Sequence, residues 1–212
     1  DKEREVMAIY RYEELGENQM DVFREIGSIG NGNAITALSG ILSEKISMEL
    51  PEVNILEFNM AQNKIGDAEE IVGAVLVEMS GELSGLMMLI LKRDFIKTMI
   101  KKVLSYEKEN LLDMEEMEES LLIEVGNIML SSYISALSSL TNIQIHLSVP
   151  QFAVNMLGGI LSMPMAMMGI ESDKIMMITG AFSIGGEEMD SNILLLPDIR
   201  SLNVLMKKLG VE

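Results

Sequence analysis

Two residues able to do chemistry together, Glu124 and Asn127, stand three apart in the second half of this 212-residue chain. On an α-helix they fall with Ser120 into one narrow stripe, spread over only about 60° of the helix surface and about two turns long. Leu121, Leu122, Val125, Ile128 and Met129 occupy an arc on the other side, so an apolar face anchors the helix and the stripe points outward. A carboxylate supplies only acceptors, whereas a carboxamide supplies donors and an acceptor, so such a stripe can pair with charge and with polar groups on a partner. Taken alone, Glu and Asn on an exposed helix face are solvated residues more often than a site. Repetition changes that reading.

The segment DVFREIGSIGNGNAITALSGILSEKISMELP begins at Asp21, and SLLIEVGNIMLSSYISALSSLTNIQIHLSVP begins at Ser120. Glu25 falls on Glu124, Gly27 on Gly126, Leu38 on Leu137 and Pro51 on Pro150, always 99 residues apart. A constant offset through a helix and the strand start after it means an internal duplication with two related surfaces. In the first copy Asp21, Glu25 and Ser28 form the stripe, over a buried face of Val22, Phe23, Ile26 and Ile29. Ser28 stands where the second copy has Asn127. Asn31 lies about 60° from Ser28 and about 4.5 Å further along the helix, too far to replace it. Gly27 and Gly126 sit mid-helix, where glycine costs about 1 kcal/mol relative to alanine, and mark a close approach by another backbone or a partner.

Composition bounds the chemistry. With 48% hydrophobic and 23% charged residues the chain is globular, and a formal net charge of −17 argues against nucleic acid and anionic lipid as partners. There are no cysteines and one histidine, His146, which excludes disulfides, thiolate metal sites, the usual histidine zinc centres and most triads. His146 reads as a strand side chain. The twenty methionines read mostly as core filler. The longest apolar window found, Ile160–Ile170, is too short to span a membrane and contains Pro164. With no signal peptide evident, the simplest expectation is a cytoplasmic, metal-free protein without membrane insertion.

The elements that must position the stripes follow one plan twice. Residues 1–20 are an N-terminal extension in which REVMAIYRYEEL is a weak helix candidate. The domain spans 21–212, with halves at about 21–104 and 114–209 joined through SYEKEN. Long helices are expected over Asp21–Leu42 and Met114–Leu140. Strands are expected at Ile46–Leu50, Val53–Phe58, Ile71–Met79 and Leu83–Lys92, with a turn at Ser80–Gly81, and again near Ile143–Val149, Lys174–Ile184 and Ile193–Leu196. Asp94 and Asp198 open the closing helices of the halves. The run LLDMEEMEE is read as a solvated helix start, and Asn155–Met168 fits either helix or strand. Each half has too little core to stand alone. The fold class is therefore α/β in the α+β sense: a single pseudo-twofold domain with a continuous, mostly antiparallel sheet and two long site-bearing helices.

These residues resemble the CheC, CheX and FliY phosphatases of bacterial chemotaxis, and CheC most of all. The shared pattern is Asp/Ser-x3-Glu-x2-Asn-x22-Pro, which Ser120, Glu124, Asn127 and Pro150 satisfy throughout. Asp21, Glu25 and Pro51 satisfy it in the first copy, where Ser28 departs from it. The resemblance implies an enzyme acting on phosphorylated CheY, whose aspartyl phosphate is held with Mg²⁺ and a lysine of CheY itself. Such an enzyme needs no cofactor, only a positioned water. It assigns Asn127 to orienting that water, Glu124 and Glu25 to pairing with the CheY lysine, and Ser120 and Asp21 to capping or steering the helix. Pro51 and Pro150 read as structural. CheD is a further partner that the resemblance implies. Alternatives are a CheY- or CheD-binding regulator with little catalysis, and a FliY-like flagellar switch component.

Overall fold

The structure, a computed structural model, describes residues 16–168 and 174–210. The first half runs α1 (Glu17–Leu42), β1 (Ile46–Met48), β2 (Glu52–Glu57), α2 (Phe58–Ile65), β3 (Ile71–Gly81), β4 (Gly85–Leu91) and α3 (Arg93–Leu104). The second runs α4 (Glu116–Thr141), β5 (Ile145–Leu147), β6 (Gln151–Met156), α5 (Leu157–Met168), β7 (Lys174–Ile184), β8 (Glu187–Pro197) and α6 (Ile199–Lys208).

α1 and α4 are both 26 residues long. Each is closed at its start by a side chain reaching back from the third helical position. Gln19 Oε1 accepts from the Gly16 N–H at 3.0 Å, and Glu118 Oε2 from the Glu115 N–H at 2.7 Å. Each ends on a left-handed residue, Ser43 or Asn142. α1 starts at Glu17, four residues before the expected Asp21, and the candidate helix before it lies outside the described residues. Asp21 and Ser120 consequently sit inside the second turn and cap nothing, a correction to the capping role. Asp94 is likewise in the first turn of α3, behind Lys92 at the N-cap, whereas Asp198 does cap α6 by accepting from the Ser201 N–H at 2.7 Å.

The 99-residue offset persists through the starts of α2 and α5, neither of which was clear from sequence. The expected strand over Val53–Phe58 stops at Glu57, and the ambiguous stretch from Asn155 divides into the end of β6 and a helix that accommodates Pro164. α5 has 12 residues against 8 in α2, and after that extra turn β7 stands 103 residues from β3. The turn expected at Ser80–Gly81 comes later, since β3 runs through Gly81. β8 is longer than expected and opens on the Gly185–Gly186 turn, whose φ values of 62° and 89° suit glycine.

All described strand pairs are antiparallel, in one eight-stranded sheet. The halves exchange edges. β1 and β2 pair with β7 of the second half, while β5 and β6 pair with β3 of the first. β4 and β8 join in the middle. One cross-strand row runs Val53, Ile178, Ile193, Leu89, Val75, Phe152, and its two ends are repeat equivalents. A pseudo-twofold axis therefore passes by the Leu89–Ile193 pair. Each interrupted edge carries its proline, Pro51 between β1 and β2 and Pro150 between β5 and β6, which breaks the row of hydrogen-bonding groups an edge strand would expose.

One face of the sheet carries the main core with α1, α3, α4 and α6, and the other carries a smaller core with α2 and α5. This double cover explains why LMMLIL in β4 and ILLL in β8 show no polar alternation. α4 is longer than the apolar Ile160–Ile170 stretch and, by length and composition, could cross a bilayer, yet 56% of its most apolar stretch is buried inside the fold. It serves here as a core helix.

The acidic run before α4 is not wholly solvated either. The Glu118 side chain is fully buried, accepting from Tyr106 Oη at 2.8 Å and pairing with Lys108 Nζ at 2.7 Å. Burial alone would raise its carboxyl pKa, but Lys108, the Glu115 N–H and Tyr106 outweigh burial and hold it below the ordinary range. Tyr106 is pushed up to about 12 in return, chiefly by the same hydrogen bond. A lowered folded-state pKa means this stability is present above the unfolded carboxylate pKa of about 4.3 and lost as pH falls through the folded value. Glu118→Gln should cost about 2–3 kcal/mol in urea unfolding at pH 7. That is just under the range for fully buried pairs, because Lys108 keeps 13% of its side chain in water. The cost should shrink below pH 4, and a pH-independent cost would contradict this role.

Candidate functional site

The two stripes lie on α1 and α4, and the sheet fixes how each helix is rolled. A Cβ built on Gly126 would stand 2.5–2.7 Å from Cβ, Cγ1 and Cγ2 of Val75, so α4 rests on β3 with no room for a side chain. A Cβ on Gly27 would stand 2.9 Å from Pro51 Cγ and 3.7 Å from Ile178 Cγ2. Val75 and Ile178 are repeat equivalents three strands apart on the central row, about 14 Å at the usual strand spacing. The mid-helix glycines thus mark close approach by the sheet, and Glu25 and Glu124, about 160° round their helices from the glycines, are turned away from it.

In the second copy Ser120 and Glu124 are exposed and Asn127 is half-buried. Among the described residues none of the three side chains has a hydrogen bond or ion pair. Glu124 and Asn127 are separated by about 4.5 Å along the axis and share one side of the helix. Their carboxylate and carboxamide are therefore available to a partner. In the first copy Asp21 and Glu25 are exposed and Ser28 is half-buried. Here Asp21 is engaged by Arg24, which also lies 3.5 Å from Glu17. The second copy has Ile123 in place of Arg24, so only the first stripe carries its own cation. That feature escaped the sequence reading, although the unlike pair Arg24 and Ile123 was visible in the aligned copies.

Asn31 is only 4% exposed, and among the described residues neither polar atom of its side chain has a partner. It is turned into the protein and cannot serve the first stripe; its equivalent, Leu130, is buried as well. His146 is exposed on β5. Among the described residues no group of three or more His, Cys, Asp or Glu is placed to hold a metal ion.

A family model described as CheC-like matches residues 117–154, a span that contains Ser120, Glu124, Asn127 and Pro150. The CheY-P phosphatase CheC of Bacillus subtilis (strain 168) is 31% identical over 202 residues, covering 93% of this chain and 97% of that protein. The chain belongs to the CheC family. Its role is accordingly in chemotaxis. Among solved structures this CheC-family chain is similar to Thermotoga maritima FliY, with a TM-score of 0.70 at 22% identity over 92% of this chain and 98% of that one. FliM in its complex with FliG from H. pylori gives 0.68 at 14% identity over 90% and 99%. CheX in a CheX–CheY complex from Borrelia burgdorferi gives 0.52 at 16% over 80% and 96%. At these identities the structural likenesses establish the fold.

Proposed function

We propose that this CheC-family protein is a phosphatase for a phosphorylated CheY-type response regulator and that hydrolysis takes place at the second surface. The observation that carries this reading is the pair Glu124 and Asn127. Among the described residues neither side chain has a partner, and both stand within two positions of Gly126, which rests against β3 with no room for a side chain. An aspartyl phosphate is an activated acyl phosphate, so its hydrolysis asks mainly for a water held in line with the bond to be broken. Mg²⁺ and a lysine of the regulator would neutralise the phosphoryl oxygens. Asn127 would accept from and donate to the water or its surroundings, and Glu124 would pair with the regulator's lysine and so set the approach of Asn127.

The direct test is release of inorganic phosphate from a phosphorylated CheY-type receiver, with and without this protein. Saturating protein that leaves the rate unchanged would remove the phosphatase reading. The first surface retains Glu25 but has Ser28, whose hydroxyl is shorter than a carboxamide and cannot donate and accept at the same two points. Ser28→Asn in an Asn127→Ala background should recover measurable phosphate release, and adding Arg24→Ile should raise it further by removing a like charge from the path of the partner's lysine. A folded triple variant with no activity would show that the first surface has diverged beyond these two positions.

A further inference from the structure

Two apolar residues of α4 lie on its outer side and serve neither core. Met117 is 65% exposed and Ile123 is half-buried, and among the described residues neither packs against the main core or the smaller one. Leu121 and Ile128, by contrast, do pack against the main core. Helix geometry puts Met117 and Ile123 on the two borders of the polar stripe. Taking Ser120 as zero, Glu124 and Asn127 stand at about 40° and about −20°, Met117 at about 60° and Ile123 at about −60°. Ile123 follows Ser120 by three positions and precedes Asn127 by four, while Met117 precedes Ser120 by three. Residues so spaced are surface neighbours, about 5–6 Å apart by Cβ. The first surface differs at both places. Asn18 stands where the second has Met117, and Arg24 where it has Ile123, and both are exposed.

We propose that Met117 and Ile123 are specificity residues for the receiver domain, apolar contacts bordering the reacting stripe that direct the receiver to the second surface over the first. This rests on the function proposed above. The occupant follows from adjacency on a single helix. A partner that brings a lysine to Glu124 and a phosphoryl group to Asn127 must also cover Ile123, one turn from Asn127, and meet Met117 on the Glu124 side. Its complement is a lysine and a phosphoryl group bordered by apolar side chains. At the first surface the same approach meets Arg24, whose charge opposes the lysine, and Asn18, which offers no aliphatic area. Covering Met117 and Ile123 removes apolar surface from water and so adds to affinity. The unbranched methionine can shape itself to whatever relief the receiver presents. These residues would set binding, leaving the water-positioning step to Asn127.

The test uses the full chain and a CheY-type receiver activated with beryllofluoride and Mg²⁺, so that binding is read without hydrolysis. Met117→Ser with Ile123→Ser should weaken binding about tenfold or more, and Met117→Leu with Ile123→Val should bind as wild type does. Ile123→Arg, which copies the first surface, should weaken binding more than Ile123→Ser, because a cation then faces the partner's lysine. With phosphorylated receiver the serine pair should raise KM by a similar factor while kcat holds. Unchanged affinity in the folded serine pair would overturn the proposal, and so would equal losses in the serine and conservative pairs. A loss of kcat at constant KM would overturn it too, since it would place these residues in the chemical step. A wild-type chain that does not bind the receiver would overturn it as well. Wild-type binding without any phosphate release would defeat the phosphatase reading alone, and the serine pair would still decide this one.

Discussion

Asn127→Ala is expected to lower phosphate release from a phosphorylated CheY-type receiver by about a hundredfold while leaving the protein folded and the receiver bound. The magnitude is that of losing one positioned hydrogen-bonding group at a reacting centre. Folding should be spared because Asn127 is half-buried and has no hydrogen-bond partner among the described residues. Affinity should persist because the charge contact is assigned to Glu124. The measurement is kcat and KM for phosphate release, alongside receiver binding. Turnover equal to wild type would remove Asn127 from the mechanism. Glu124→Lys should fail in the opposite way, weakening binding because like charges then meet across the interface. Receiver affinity equal to wild type in Glu124→Lys would remove the ion pair.

Gly126→Val is expected to have the next largest effect, on stability and turnover together. A Cβ at Gly126 would stand within 2.7 Å of three side-chain carbons of Val75, closer than real carbons pack. α4 must lift from β3 or the strand must move. Overpacking of this kind costs about 1–3 kcal/mol, and valine should reach the top of that range. Gly126→Ala is the milder test, since it gains about 1 kcal/mol of helix propensity against a smaller clash. A lift of about 1 Å also moves Asn127 and should cost about a hundredfold in kcat, even where the protein stays folded. Gly27→Ala should be better tolerated, because its nearest obstacle is the rim of the Pro51 ring at 2.9 Å. Equal stability losses at both glycines, by urea unfolding, would contradict this contrast.

The sequence disclosed the duplication and both stripes because they depend on spacing alone. The 99-residue offset survives intact from α1 to the start of α5, and helical periodicity separates Glu124 and Asn127 from Val125 and Met129. The pairing of strands was hidden, since nothing in β1 or β2 says that its neighbour is β7. α2 was missed because FNMAQNKI is short, has no side-chain cap and mixes polar with apolar positions. The buried state of Glu118 was hidden for a different reason. A glutamate in an acidic run looks solvated until Tyr106 and Lys108, which come from the loop before α4, are brought to it.

The exchange of edge strands has a consequence for how the chain emerges from the ribosome. Glu52 in β2 must wait for Thr179 in β7 before it has a neighbour. At about 5–20 residues per second, synthesis of the intervening segment takes roughly 6–25 seconds. Throughout that interval α1 and its first two strands have no floor to pack on, and Phe23, Ile26 and Val53, all buried in the finished fold, stay open to water. The nascent first half is then a client for whatever shields apolar surface in the cell. Its own excess of negative charge is the protection the chain itself carries against association with its neighbours.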